Sequence, residues 1–184
     1  ALFQRGLDGQ EVPARPPGHP VHTDMEEDQR ARTIIAEIQE ELAKIGEEPG
    51  ETVWSFVVGQ LRFLTQELAG IQTHYVRKEN QLFPLLEQHE LSAPGKVMWE
   101  VHDDIRRQFR LVQELLAGQE RLLARKALQE LIAAVEDMIL KEERILFPMT
   151  LQVLSDADWK RCRLGEEEIG YAFGVIPGDA WAVD

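Results

Sequence analysis

At 184 residues and 43% hydrophobic content, the chain can bury one full core as a single domain with short appendages. Twenty basic against thirty-three acidic residues leave a net charge of −13, a field that repels nucleic acid and anionic membranes, so neither is expected as a partner. No apolar run reaches the ~18 residues of a membrane span, the first residues lack the basic-then-apolar layout of a secretory signal, and the single cysteine, Cys162, excludes an intrachain disulfide. These features fit a cytoplasmic protein.

The opening ALFQRGL reads as the end of a helix cut from something longer, so the sequence is read as an excised domain. Residues 1–21 are expected to be an arm or linker, because Pro13, Pro16, Pro17, Gly18 and Pro20 forbid a continuous helix. Thr23 followed by Glu26 forms a capping-box pattern, and Ile34, Ile38, Leu42 and Ile45 then recur at helical spacing up to Gly46. After EEPGE, a second long helix carries Val57, Leu61, Leu64, Leu68, Ile71 and Tyr75 toward Pro84, which kinks or restarts it. A loop through Pro94 leads to a third helix lined by Met98, Val101, Ile105, Phe109, Val112 and Leu116. The fourth carries Leu128, Leu131, Val135, Met138, Ile145 and Met149, with Pro148 placed as Pro84 is. Four long amphipathic helices on short loops predict an all-α, antiparallel up-down four-helix bundle over residues 22–154. Residues 155–184 read as a capped short helix, SDADWKRC, and an irregular tail.

One phrase occurs twice: HYVRKENQLFPLL from His74 and MILKEERILFPMT from Met138. Two such copies suggest a duplicated helical half, and such halves can face each other across a buried site. A histidine and a carboxylate four residues apart share a helix face and can serve one metal, but here that pair is split. His74 is followed by Lys78, whereas Met138 is followed by Glu142. Glu142 falls on the apolar line of its helix, where a carboxylate must be protonated, paired with a cation or bound to a metal. The bland alternative is a buried ion pair with Lys78. Glu143, about 100° away, is expected to meet solvent.

Candidate donors facing Glu142 are His74 on the second helix and His102 on the third, each of which taken alone reads as a hydrogen-bonded core histidine. His22 and His19 stand in PPGHPVHT at the mouth of the first helix, with a solvated loop as the alternative. His89 belongs to the exposed end of the second helix. Met98 and Met138 are expected to fill core gaps.

A histidine at the start of the first helix, HYVRKENQLFP, the VHDDIR segment and KEERILFP together resemble the hemerythrin-like, HHE cation-binding family, over Gly18 to about Leu154. PPGHPVHT, KVMWEVHDDIR and EIGY further resemble a prokaryotic subgroup in which the bundle often precedes a PAS sensor domain. The resemblance implies a non-haem iron site within the bundle, with one or two ions, binding oxygen, nitric oxide or a related small species. It carries over His22, His74, His102 and Glu142 as metal ligands, with His19 next and Glu79 admitted if the second helix is locally overwound. Lys78 and Met138 depart from the family's paired pattern and remove two donors. Three imidazoles and one carboxylate then suit a single iron, manganese or zinc ion.

The function expected from these readings is that of a metal-binding module sensing a small diatomic ligand or redox state and signalling to a downstream sensory domain. Two alternatives stand beside it. One is an iron-dependent peroxidase, oxidase or iron-repair enzyme, although the chain has no Glu-x-x-His of the ferritin-like kind. The other is a metal-free bundle for protein contacts.

Overall fold

The computed structural model describes residues 12–181, and the ALFQRGL segment lies outside them. The described chain is all-helical, without strands, in the order α1 (Pro20–Ile45), α2 (Glu51–Leu68), α3 (Ile71–Arg77), a π turn (Lys78–Leu82), α4 (Phe83–Gln88), α5 (Ser92–Ala117), α6 (Arg121–Lys141), a second π turn (Glu142–Leu146), α7 (Phe147–Val153), α8 (Asp156–Glu166) and a 3₁₀ turn (Ala172–Gly174). Helix α1, the α2–α4 run, α5 and the α6–α7 run make the four-helix bundle. No described helix is long and apolar enough to cross a membrane.

Three local departures from the expected elements matter for the site. Helix α1 starts at Pro20 rather than after a Thr23 cap. Proline's missing N–H costs nothing in the first turn, and His19 supplies the cap by accepting the Val21 N–H on Nδ1 at 3.2 Å. The buried line of α1 is Ala31, Ile35, Ile38, Leu42 and Ile45, with Ile34 only half-buried. The second bundle helix breaks at Ala69–Gly70. A methyl on Gly70 would meet the Phe173 ring at 3.3 Å, so the tail packs into that break.

The third departure is the pair of π turns, one in each copy of the repeated phrase. Pro84 and Pro148 have no N–H, and their rings would press on the carbonyls four residues back, at Asn80 and Arg144. The helix relieves this by widening: Phe83 N–H bonds to Lys78 O, and Phe147 N–H to Glu142 O, each five residues back. The helix is therefore widened, not overwound, and the widening turns Glu79 inward to 5% exposure. It also shifts the phase of the last bundle helix. Leu146 and Thr150 turn into the core while Ile145 and Met149 become half-buried.

After the bundle, Ser155 and Asp158 form a reciprocal capping box that starts α8. The chain then folds back over the bundle end. Trp181 N–H reaches Pro17 O at 2.9 Å, and Gly18 and Gly178 meet so closely that a side chain on either would collide with the opposite strand of chain. Residues 17–19 are thus pinned to the C-terminal tail.

Candidate metal centre

Extending the buried line of α1 toward its start leads past Ala31 to Asp28, Glu27 and Asp24, all 3% exposed or less. Three carboxylates therefore enter the core from one helix face. Opposite them stands His74 of α3, fully buried. Its two ring nitrogens divide the cluster. Nδ1 is 2.7 Å from Glu27 Oε2 and 3.5 Å from Asp24, while Nε2 is 2.8 Å from Glu142 Oε2 and 3.6 Å from Asp28. Among the described residues, two groups have ligand atoms all within 4.8 Å of one another: Asp24, Glu27 and His74, and Asp28, His74 and Glu142.

The next residues decide how these groups are neutralised. Arg77, Lys78 and Glu79 are consecutive, charged and buried, because helices surround this stretch on several sides. Arg77 fills the first group. Its guanidinium contacts Asp24, lies 2.9 and 2.5 Å from the two Glu27 oxygens, and donates to Gly170 O at 3.2 Å. Lys78 contacts Glu142 through Oε1, leaving Oε2 toward His74. Asp28 is left over: fully buried, with no hydrogen-bond partner on either oxygen.

Burial alone would raise Glu142, but the Lys78 ammonium and His74 outweigh it and hold that carboxyl at about 2. Asp28 goes the other way, pushed well above the carboxylate range by burial and by the Glu142 charge. Burial and Lys78 press His74 down, yet its bonds to Glu142 and Glu27 win and raise it to about 10. With Asp28 pushed toward its neutral form and His74 charged, Asp24, Glu27 and Glu142 face Arg77, Lys78 and His74, while a further buried carboxyl, Glu166, lies 3.6 Å from Arg77 and is raised to about 8 by burial and the nearby Asp24.

A second polar unit lies one helix away. Glu79 accepts His102 Nδ1–H at 2.8 Å and two Arg106 bonds at 2.9 and 3.0 Å. Burial keeps His102 neutral at about 4, so this bond fixes the tautomer and leaves Nε2 as a bare, buried lone pair without a partner. The ring stacks on Tyr75 at 4.1 Å, and the Tyr75 hydroxyl also has no partner.

The hemerythrin HHE cation-binding domain family matches residues 19–150, most of the chain. The chain belongs to this family. No curated protein matches it.

The hemerythrin-like frame brings some of the expected ligands together and leaves others apart. His74 and Glu142 meet directly. His102 lies outside both three-residue groups, and Glu79 holds it rather than joining them. His19 is buried between Trp159 and Trp181, with ring centroids at 4.7 and 4.9 Å. His22 is partly exposed and lies 3.7 Å from Glu26. His89 lies 3.1 Å from Asp158 on α8. Glu143 does not simply face solvent: the π turn begins beside it, and it takes Arg32 through two bonds of 2.6 and 2.7 Å.

The residues present fit one divalent cation. Asp28, His74 Nε2 and Glu142 form a compact oxygen–nitrogen set, and the unpartnered Asp28 carboxylate is the kind of buried group that a cation satisfies. A second cation in the other group would have to expel Arg77.

Proposed function

We propose that this hemerythrin-like bundle holds one transition-metal ion, iron in the cell, at Asp28, His74 and Glu142, and serves as a small-ligand or redox sensing module. The observation that carries the reading is Asp28, a fully buried carboxylate with neither oxygen satisfied beside a histidine and a second carboxylate. We assign His102 as a further donor, since its Nε2 is buried and without a partner. Glu79 is then a positioning residue for that ring. Non-haem iron would supply one-electron chemistry and a coordination position for oxygen or nitric oxide. The chain's own part is to keep water out, hold His74 between two carboxylates and fix the His102 tautomer. A downstream sensory domain is the proposed recipient of the signal, and manganese or zinc are the competing ions.

A second reading is favoured by one contact. Lys78 sits on Glu142, and a bundle neutralised by its own Lys and Arg side chains needs no metal. Elemental analysis of protein purified without a metal-affinity tag separates the two. About one iron per chain is expected. Two irons with a bridged di-iron absorption band would refute the single-ion site, and metal-free protein that also refuses added iron would establish the ion-pair bundle. Turnover of peroxide by the iron-loaded protein would move the assignment from sensor to enzyme.

A further inference from the structure

Helices and π turns enclose most of the buried cluster, and a non-α-helical segment closes part of it. Residues 167–175 are not α-helical beyond the end of α8, yet they bond straight into it. Glu27 Oε1 accepts the Ala172 N–H at 2.6 Å, while Oε2 of the same carboxylate accepts from His74. Arg77 donates to Gly170 O and lies 5.0 Å from the Tyr171 ring centroid, whose hydroxyl in turn takes Arg163 at 2.7 Å. Phe173 adopts φ +56°, a left-handed conformation that a bulky residue rarely takes, and its ring packs on Gly70 in the break between α2 and α3. A segment forced into that conformation and tied by a few bonds, rather than by a helical ladder, is the part of the wall that opens most readily.

We propose that residues 167–175 form a latched lid over the cation site, with Glu27 and Arg77 as the catch and Phe173 on Gly70 as the seat, and that ions and small ligands reach His74 when it opens. The inference rests on the cluster being a cation site. Its geometric basis is that His74, Asp28 and Glu142 are fully buried, and that residues 170 and 172 bond directly to Arg77 and Glu27, the two groups packed on the Nδ1 side of His74. The catch itself lies outside the Asp28–His74–Glu142 group. Opening therefore changes how fast an ion enters and leaves more than how tightly it is held.

Ala172→Pro tests the catch. The substitution removes the N–H donated to Glu27, and Tyr171 before it is already extended at ψ 143°, as a residue preceding proline prefers. Gly70→Ala tests the seat, because its methyl would press the Phe173 ring while alanine suits the right-handed backbone there. With Co²⁺ as the probe, stopped-flow uptake by the metal-free chain and loss to EDTA should both accelerate by roughly tenfold or more in Ala172→Pro, the loss of one charge-assisted bond, and by less in Gly70→Ala. The equilibrium affinity should change less than about threefold. Amide hydrogen exchange from Ile169 to Val175 should quicken in both variants while α5 and α6 keep their protection. Faster exchange with unchanged Co²⁺ rates would overturn the lid, because the ion would then be using another route. Unchanged exchange in both variants would overturn the latch. Failure of the parent protein to bind Co²⁺ would instead remove the cation-site reading, and the exchange data alone would then decide for or against a latch at Glu27.

Discussion

Loading the ion-free protein with a divalent cation at pH 7 should release close to two protons per ion. The number follows from the charges in the cluster. Asp24, Glu27 and Glu142 face Arg77, Lys78 and protonated His74, while burial and the nearby Glu142 charge push Asp28 toward its neutral form, and burial holds Glu166, beside Arg77, up at about 8. An ion held by His74 Nε2 and Asp28 must displace a proton from each, and it brings two charges in exchange, so the cluster keeps its balance. Affinity should then climb by up to about 100-fold per pH unit, tenfold for each proton, and level off as pH approaches the His74 value of about 10. Titration calorimetry with Co²⁺ or Zn²⁺ at pH 7, repeated in buffers of different ionisation enthalpy, counts the protons directly. Release of fewer than one proton, or an affinity that is flat between pH 6 and 8, would refute both the charge count and the placement of the ion at Asp28.

The same two groups, together with Glu166, which burial raises from 4.5 to about 8, weaken the ion-free protein as pH rises. His74 is raised from 6.5 to about 10 and Asp28 above its ordinary 3.8, so folding takes up protons. Their stabilisation is complete below the ordinary values and lost as pH rises, by about 1.4 kcal/mol per pH unit per proton. Thermal melts should therefore fall from pH 7 to pH 9 without the ion and hold steadier with it. Glu142→Gln leaves a buried ammonium on Lys78 without its counter-charge and should cost about 3–5 kcal/mol in denaturant unfolding, against less than ~1 kcal/mol for Glu143→Gln, whose Arg32 partner is a third exposed. Equal costs would show that Glu142 is not the inward carboxylate. Lys78→Met removes a charge that repels the ion, so Co²⁺ affinity should rise at least roughly tenfold while ion-free stability falls; weaker binding would mean that Lys78 orders Glu142 for the ion rather than competing with it.

The four apolar stripes were readable because a buried helix face repeats every three to four residues, and so was Glu142, a carboxylate standing on such a stripe. The α1 carboxylates were hidden because the apolar stripe stops short of them. The line through Ile38, Leu42 and Ile45 lies on the buried face, but beyond Ala31 no large apolar residue continues it, so Asp28, Glu27 and Asp24 on the same face carry no periodic signal. They also occupy the first turns of a helix, where acidic residues are ordinarily solvated partners of the helix dipole. Arg77 was obscured for the converse reason: a helix rarely buries three consecutive charged residues, and only the surrounding helices make it so here. The π turns left a weak signal, the proline after each Leu-Phe, but periodicity at 3.6 residues cannot express an inserted residue, so Ile145 and Met149 lie half-buried at the edge of the face that the period centres on them. His19 and His22 carried a histidine signal without a geometric one, and the tryptophans that enclose His19 come from α8 and the tail, far away in sequence.

The repeated phrase underlies the proposal of one ion rather than two. In each copy, the first residue of the π turn is the residue four after the phrase begins, Lys78 in one and Glu142 in the other, and these two side chains meet. A carboxylate at both positions would place like charges against each other in the core, and a cation would have to lie between them. Lys78 supplies that cation covalently. Arg77 does the same for Asp24 and Glu27 on the neighbouring side. What remains unbalanced is Asp28, together with a proton on His74 that a metal can replace. The hemerythrin-like frame has thus been neutralised from within on most of its buried carboxylates, and the part left open to an external ion is the corner where α1, α3 and the second π turn converge.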